Sequence, residues 1–238
     1  MSYKNRYNID YWLRKIYTSK FFQLLWTNKA TLKKKIFTSI YKSNHWVQDE
    51  DVLSKEFISV SGHGSNLNTE QFYNLVKNFT KIINKYDINS IIDMPCGDFL
   101  WIKEIIKNKN IEYLGIDIVE ELIEENKKKY QDKKIKFECH DIVNFSTIKE
   151  LDLILIRDLF IHIKNSEIKK IIHNIKNMNF KYVMLNSYNN KENKDVVIGQ
   201  HRKVNLLIEP FNMKKPTYTF KDHENDKFVF FYERSNFI

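Results

Sequence analysis

From residue 90 onward, short apolar segments alternate with segments of helical periodicity, and this alternation constrains the fold more than any other feature of the chain. Helical patterns occupy residues 99–106, 122–130 and 166–176. Short apolar strands joined by helices form parallel sheets with right-handed crossovers. The sequence therefore predicts a doubly wound α/β domain. Its apolar segments lie at residues 91–92, 113–116, 135–138, 153–156 and 182–185.

Two flanking patterns complete this predicted domain. Tyr218 and Phe220 precede an aromatic run at residues 228–232, which predicts a closing antiparallel hairpin. Upstream, residues 69–86 carry apolar side chains at helical spacing. We therefore expect one domain over residues 46–238, with a Rossmann-like, mostly parallel sheet of about seven strands and a C-terminal antiparallel hairpin.

Residues 1–45 differ from the rest of the chain and form a basic arm. They hold ten Lys or Arg residues and one acid, Asp10, whereas residues 46–238 balance to zero, so the arm accounts for the whole formal charge of +9. Apolar residues recur at roughly helical spacing and predict two short amphipathic helices. Three roles stay open: a lid over an active site, a membrane-surface helix and a helix packed on the domain. We expect the arm to be separable from cofactor binding but not from acceptor turnover.

Composition narrows the class of protein further. The two cysteines, Cys96 and Cys139, imply neither a disulfide framework nor a zinc site, and we expect no metal. The sequence contains no leader pattern and no run of about 18 apolar residues, so we expect a cytoplasmic protein. The neutral charge of residues 46–238 disfavours a nucleic-acid partner.

Acidic residues follow the first three predicted strands, where ligands bind in doubly wound sheets. The first strand runs into the segment 93–99, Asp-Met-Pro-Cys-Gly-Asp-Phe, and Asp93 is suited to a cationic amino group. Asp117 follows the second strand and can accept both hydroxyls of a ribose. Asp141 and Ile142 follow the third, where one polar contact and one apolar wall suit an adenine edge. A dinucleotide-binding Gly-x-Gly-x-x-Gly turn is absent from this position of the sequence.

This ordered series resembles the cofactor site of class I methyltransferases that use S-adenosylmethionine (SAM), over about residues 60–190. Pro95 stands where most of that family has glycine, and Phe99 where it often has a second one. A subset with Asp-x-Pro-Cys-Gly-Asp-Phe and an upstream Ser-Gly-x-Gly-Ser is similar to this chain and is associated with small-molecule or surface-polysaccharide methyltransferases. The resemblance implies SAM as cofactor, bound by Ser61, Gly62, Gly64, Ser65, Asp93, Pro95, Cys96, Gly97, Asp117, Ile118, Asp141, Ile142 and Arg157.

Residues 61–65 carry two of the five glycines within three positions and require a special backbone turn. By the resemblance they close over the methionine end of the cofactor. The alternative is a simple capping turn before the helix that begins at Thr69.

Candidate catalytic residues follow the fourth strand. Asp158 and His162 are four residues apart, so on one helical turn they share a face. We expect His162 to act as a general base for a hydroxyl acceptor and Asp158 to orient its ring. The alternative is a histidine at a helix start whose ring is satisfied by the backbone. Arg202 and Asn205, in a loop after the fifth strand, are expected to bind the acceptor, with a solvated surface arginine as the alternative.

The resemblance, together with Arg202, implies a SAM-dependent O-methyltransferase that acts on an anionic or sugar-linked small molecule, with a hydroxyl or phosphate oxygen as acceptor, in capsule or other cell-surface polysaccharide biosynthesis. The chain reads Arg-Asp-Leu-Phe at residues 157–160, not the Asn-Pro-Pro-Tyr type of motif, which disfavours methylation of DNA bases. Two alternatives remain: an RNA methyltransferase that grips nucleic acid with the arm, and a non-catalytic SAM-fold module held at a membrane by the arm.

Overall fold

The computed structural model describes residues 9–26, 28–47, 58–67, 69–222 and 226–237. The first eight residues of the basic arm lie outside this range. The helices are α1 (Ile9–Tyr17), α2 (Lys20–Leu25), α3 (Lys29–Lys42), α4 (Glu70–Lys85), α5 (Leu100–Ile106), α6 (Glu120–Tyr130), α7 (Asn165–Lys176) and α8 (Arg234–Phe237). The strands are β1 (Ser90–Asp93), β2 (Glu112–Asp117), β3 (Ile135–Cys139), β4 (Leu151–Ile156), β5 (Phe180–Tyr188), β6 (Tyr218–Lys221) and β7 (Lys227–Glu233).

The seven strands form one sheet in the order β3-β2-β1-β4-β5-β7-β6. Strands β1 to β5 run parallel, whereas β7 is antiparallel to both β5 and β6. Ile92 of β1 lies opposite Leu114 on one side and Ile154 on the other, which places β1 and β4 at the middle of the sheet. All six residues of β4 are buried, as expected for a central parallel strand covered on both faces. The predicted Rossmann-like fold with a C-terminal antiparallel hairpin is confirmed.

Helices cover both faces of the sheet and bury two apolar cores. On one face, α4 contributes Phe72, Leu75 and Phe79, which recur at helical spacing on its inner side. Thr69 caps this helix, because its hydroxyl accepts a hydrogen bond from the backbone N–H of Phe72 at 3.0 Å. The other face is covered by α7 and, from the arm, by α3.

The arm consists of three helices, and the third belongs to the body of the molecule. Leu32, Ile36 and Ile40 of α3 are almost fully buried in the core beneath the sheet. The boundary expected between the arm (residues 1–45) and the domain (residues 46–238) therefore separates α3 from the domain core in which it is buried. Two short helices, α1 and α2, precede it as the sequence predicted. In the described part of the chain, no helix is both long and apolar enough to cross a membrane.

Candidate active site

A cavity opens at the carboxyl ends of β1, β2, β3 and β4, where the strand order reverses. Each of these four strands is followed by residues that line it. In doubly wound sheets this edge is the usual place for a ligand. The expected site residues among them are Ser61, Ser65, Pro95, Cys96, Gly97, Asp117, Ile118, Asp141, Ile142, Arg157, Asp158 and His162.

Asp117 presents a buried carboxylate to this cavity at the end of β2. One oxygen, Oδ1, accepts the backbone N–H of Val119 at 3.0 Å, and Oδ2 accepts that of Gly97 at 3.3 Å. A carboxylate has about four acceptor positions, so two remain for hydroxyl donors. Desolvation by burial raises the pKa of Asp117 to about 6. Hydrogen bonds donated to this carboxylate by a ligand would lower the pKa and favour the charged form. These features fit the two hydroxyls of a ribose.

Asp93, at the end of β1, is placed differently from the expectation. It is buried beneath the turn and is not among the residues that line the cavity. Tyr113 Oη donates to Asp93 Oδ2 at 2.8 Å, while Oδ1 has no hydrogen-bond partner. Desolvation raises the pKa of Asp93 to about 8. A side chain that is largely protonated near neutral pH and faces Tyr113 does not offer the expected charge to an amino group of the cofactor.

The carboxylate of Asp141, after β3, is already occupied by the protein. Lys33 Nζ from α3 lies 3.1 Å from both of its oxygens. The backbone N–H of Val143 donates to Oδ1 at 3.1 Å, and Asn144 Nδ2 donates to Oδ2 at 3.0 Å. No acceptor position is left to read an adenine edge, as had been expected. Ile142, by contrast, lines the cavity and supplies the apolar wall.

Residues 61–65 are tied down on both sides of the cavity. On one side Asp98 holds the start of the segment: its Oδ1 accepts the hydroxyl of Ser59 at 3.1 Å, its Oδ2 accepts the N–H of Val60 at 2.9 Å, and its own N–H donates to Ser61 Oγ at 3.0 Å. On the other side, Arg157 donates to the hydroxyl of Ser65 at 2.9 Å. Residues 61–65, called the strap below, are thus anchored at both ends, and Ser61 and Ser65 line the cavity.

Three glycines lie in this strap and in the turn below it. Gly62 and Gly64 lie in the strap but do not line the cavity. Gly97, in the turn, has a φ of +54°, and a Cβ at this position would lie only 2.2 Å from Ser61 Oγ. A side chain at position 97 would therefore push the strap away from the turn.

Arg157 holds the strap as part of a buried cluster of charges. Besides Ser65, its guanidinium donates to the carbonyl of Gly64 at 2.7 Å and lies 3.4 Å from Asp222. Lys227 pairs with Asp158 at 2.7 Å and with Asp222 at 3.3 Å. Burial opposes the charge on Arg157, but Asp222 and Asp158 raise its pKa above the usual value. The two cations and two anions of the cluster balance, so it carries no net charge. Its contacts connect the end of β4, the β6–β7 turn and the strap.

His162 lies in the cavity wall, and its contacts define its chemistry. Its Nδ1 is 3.0 Å from the backbone carbonyl of Gln200. Because a carbonyl only accepts, Nδ1 carries the proton and Nε2 carries the lone pair. Trp46 stacks on the ring at a centroid distance of 4.9 Å, and His201 packs edge-on at 5.9 Å. Burial lowers the pKa of His162 to about 4, so the ring is neutral at physiological pH.

Asp158 does not orient that ring. It has a φ of +60° and lies before the single 3₁₀ turn at Phe160–His162, so the two residues do not share a helical face. Its carboxylate pairs with Lys227 and lies 3.5 Å from Arg157. The orienting role expected for Asp158 falls to the carbonyl of Gln200.

Arg202 and Asn205 lie away from the cavity lining. Arg202 Nη2 donates to the carbonyl of Ile163 at 2.7 Å and to Asn165 Oδ1 at 2.8 Å. Asn205 donates to the carbonyl of Asn190 at 2.9 Å and accepts the N–H of Leu207 at 3.0 Å. Both side chains therefore brace the loop after β5, and the expected contact with an acceptor has no support from their positions.

Sequence reasoning missed the contribution of α3 to this site. Lys33, Phe37 and Tyr41 all line the cavity. They are spaced four residues apart, which places them on one face of the helix. The four-residue spacing is present in the sequence, but the three consecutive lysines at residues 33–35 suggested a solvent-exposed segment. Helix α3 of the arm therefore forms part of the cavity, whereas the arm is expected from the sequence to be separable from cofactor binding. Trp46 and Trp101 complete the aromatic part of the lining.

The comparisons with known proteins concern the domain and its fold. A family model described as a methyltransferase domain matches residues 91–179. No curated protein sequence gives a significant match. Among solved structures, the chain is similar to magnesium protoporphyrin IX methyltransferase from Synechocystis PCC 6803 with bound SAM, at 13% identity and a TM-score of 0.59, over 88% of this chain and 99% of that one.

A second similar structure is the N-methyltransferase NodS from Bradyrhizobium japonicum WM9 in complex with S-adenosyl-L-homocysteine. The identity is 10% and the TM-score 0.57, over 82% of this chain and 97% of that one. A third is the methyltransferase domain of bacterial CtHen1-CN, at 12% identity and a TM-score of 0.54, over 69% of this chain and all of that one. Residues 91–179 thus match a methyltransferase domain, the fold is shared with methyltransferases crystallised with SAM or S-adenosyl-L-homocysteine, and both findings support SAM as the cofactor.

Proposed function

We propose that the protein is a SAM-dependent O-methyltransferase whose acceptor is a small molecule. The acceptor atom is a hydroxyl or phosphate oxygen of a sugar or of a phosphorylated precursor of cell-surface polysaccharide, such as capsule. One observation carries this proposal: His162, with its proton on Nδ1, lines the same cavity as the free acceptor positions of Asp117. A neutral imidazole beside a cofactor site is suited to removing a proton from an acceptor hydroxyl.

The residues divide the work of binding. Asp117, Ile118 and Ile142 line the cavity. With SAM bound, Asp117 would accept the ribose hydroxyls, and the two isoleucines would supply apolar walls for the base. When bound, SAM supplies a methyl group on a sulfonium, and the positive charge disperses as the group is transferred. Transfer of this kind depends mainly on alignment and on a site from which water is excluded. The strap and the aromatic side chains of Trp46 and Trp101 supply that enclosure.

Two arguments support a small acceptor. Residues of the strap and of α3 line a concave cavity at the strand ends, and concave pockets of this kind typically bind small molecules. Residues 46–238 carry no net charge, which disfavours a nucleic-acid groove. The polysaccharide role rests on the likeness of residues 93–99 and 61–65 to the corresponding motif pair. An amine is the main alternative to an oxygen acceptor, because the similar structure of NodS is described as an N-methyltransferase.

Titration calorimetry with SAM tests the cofactor site. Asp117→Ala removes a carboxylate proposed to accept two hydroxyls, each charged hydrogen bond contributing about 1.5 to 3 kcal/mol. We expect a loss of about 2 to 4 kcal/mol, or roughly 30- to 1000-fold in Kd. The matched control is Asp132→Ala, since Asp132 is an exposed carboxylate outside the cavity lining. Wild-type affinity in Asp117→Ala would exclude the proposed ribose contact.

Transfer of a labelled methyl group tests the acceptor class. Wild-type protein is incubated with labelled SAM and, separately, with sugar phosphates, nucleotide sugars, small amines and RNA. The proposal predicts label on an oxygen of a sugar or phosphate. Label on amines or RNA alone would replace the acceptor class while leaving the cofactor site intact.

A further inference from the structure

Large apolar side chains are exposed mainly in the two N-terminal helices. Among the described residues, ten large hydrophobic side chains are exposed, and six of them lie in α1 and α2. The other four, Tyr73, Ile148, Leu207 and Tyr218, are scattered over distant elements. Soluble proteins rarely keep such side chains together in water without a partner. The six are Ile9, Trp12, Ile16, Phe21, Leu24 and Leu25, with exposed fractions of 47% to 74%.

These side chains are spaced to lie on one face of each helix. In α1 they recur at intervals of three and four residues, and in the six-residue helix α2 they are the second, fifth and sixth residues. The opposite side of α2 is fixed to the body: Gln23 Nε2 donates to the carbonyl of Ile198 at 2.9 Å, and Gln23 Oε1 accepts the N–H of Ile198 at 3.2 Å. The helix thus turns Gln23 and Phe22 toward the body, and it still leaves Phe21, Leu24 and Leu25 exposed on its outer face.

Positive charge accompanies this outward face. Helices α1 and α2 hold three basic residues, Arg14, Lys15 and Lys20, and one acid, Asp10. Lys15 and Lys20 are exposed on α1 and α2, and Lys15 Nζ lies 5.0 Å from the ring centre of Tyr11 and 5.5 Å from that of Trp12. Cations interleaved with aromatic and aliphatic side chains are typical of helices that lie in a membrane interface.

We propose that α1 and α2 form a membrane-surface anchor that binds a bilayer containing anionic phospholipid. The exposed apolar side chains enter the boundary between headgroups and acyl chains, and the lysines pair with the headgroup phosphates. Charge complementarity selects this partner over a second copy of the chain, because two copies would bring the same positive charge together. The anchor concerns a partner of the protein, so it stands or fails independently of the proposed function.

Flotation of the full-length protein with vesicles tests the anchor. One set contains phosphatidylcholine alone and the other phosphatidylcholine with phosphatidylglycerol. We expect binding to the anionic vesicles and its progressive loss as salt is added. The double variant Phe21→Ser/Leu24→Ser removes two apolar anchors and should lower partitioning at least about tenfold. Ile148→Ser is the matched control, since it also removes a fully exposed apolar side chain, outside the arm.

The charge component is tested separately. Lys15→Gln and Lys20→Gln should each lower partitioning by about fivefold, and Lys191→Gln, an exposed lysine outside the arm, should leave it unchanged. All variants should keep wild-type circular dichroism and SAM affinity, because none of these residues lines the cavity. Failure of the wild type to bind anionic vesicles would overturn the proposal. So would a concentration-dependent dimer that the Phe21→Ser/Leu24→Ser variant abolishes, since the face would then join two copies.

Discussion

At the scale of single residues, His162 shows how burial changes the chemistry of a common side chain. An exposed histidine titrates near pH 6.5, but burial lowers the pKa of this ring to about 4. Its Nε2 lone pair is therefore available over the whole physiological range. The same low pKa makes the ring a weak base, so its contribution to rate should lie at the lower end of the usual range for general bases.

His162→Ala should lower kcat by about 100-fold while leaving the Kd for SAM within a few-fold of the wild type. The wild-type kcat should not rise through pH 6.5 on account of this residue, because the midpoint of its titration lies near pH 4. The measurements are kcat against pH and calorimetry with SAM. His173→Ala, an exposed histidine on α7, serves as the control. A variant with near-wild-type kcat would leave His162 as a residue satisfied by the backbone.

The carboxylates that the structure leaves open to the cavity and those that it occupies differ in where their partners come from. Asp117 follows a strand and is held by backbone N–H groups of nearby residues, so its position in the sequence was enough to place it in the cavity. Asp141 also lines the cavity, but Lys33, which occupies its carboxylate, is 108 residues away. Asp93 is satisfied by Tyr113 in the neighbouring strand. Such long-range partners determine whether a carboxylate is free, and a single sequence does not reveal them.

At the scale of elements, strands and helices from Thr69 onward were predictable because each has one apolar periodicity that matches its burial. The observed strands agree with the predicted ones to within about three residues at each end. Helix α3 was harder to interpret, since three consecutive lysines interrupt its apolar pattern. Of these, Lys33 is buried and pairs with Glu167 at 2.6 Å as well as with Asp141, whereas Lys34 is half-exposed. Burial of a lysine depends on acids that arrive from other elements.

Lys33→Ala should destabilise the protein by about 3 kcal/mol, because it leaves two partly buried carboxylates without their cation. It should also weaken SAM binding, since α3 forms one wall of the cavity. Lys34→Ala is a closely matched control: Lys34 pairs with Glu120 at the surface, where such pairs contribute about 0 to 1 kcal/mol. Urea denaturation and calorimetry measure the two effects. Equal stability of the two variants would show that the buried pair does not hold α3 in place.

At the scale of the whole molecule, the buried acids at the strand ends link stability to pH. The folded protein holds a proton on Asp93 up to about pH 8, because burial disfavours the charged form, whereas in the unfolded chain the same group ionises near pH 4. Between these values unfolding releases a proton. Raising the pH therefore favours the unfolded state, and the stabilisation is lost as the pH rises through the folded pKa.

The free energy of unfolding of the ligand-free protein should thus fall by about 1 to 2 kcal/mol between pH 6.5 and pH 8. Asp117 contributes little in this window, because its pKa of about 6 places its own transition lower. Asp93→Asn retains a side-chain oxygen for the hydrogen bond from Tyr113 but has no proton to release. It should remove most of the pH dependence and be more stable than the wild type at pH 8. Urea denaturation at several pH values measures both quantities, with Asp132→Asn, at the surface, expected to follow the wild-type curve. A steep fall in stability that persists in Asp93→Asn would assign the linkage to another group.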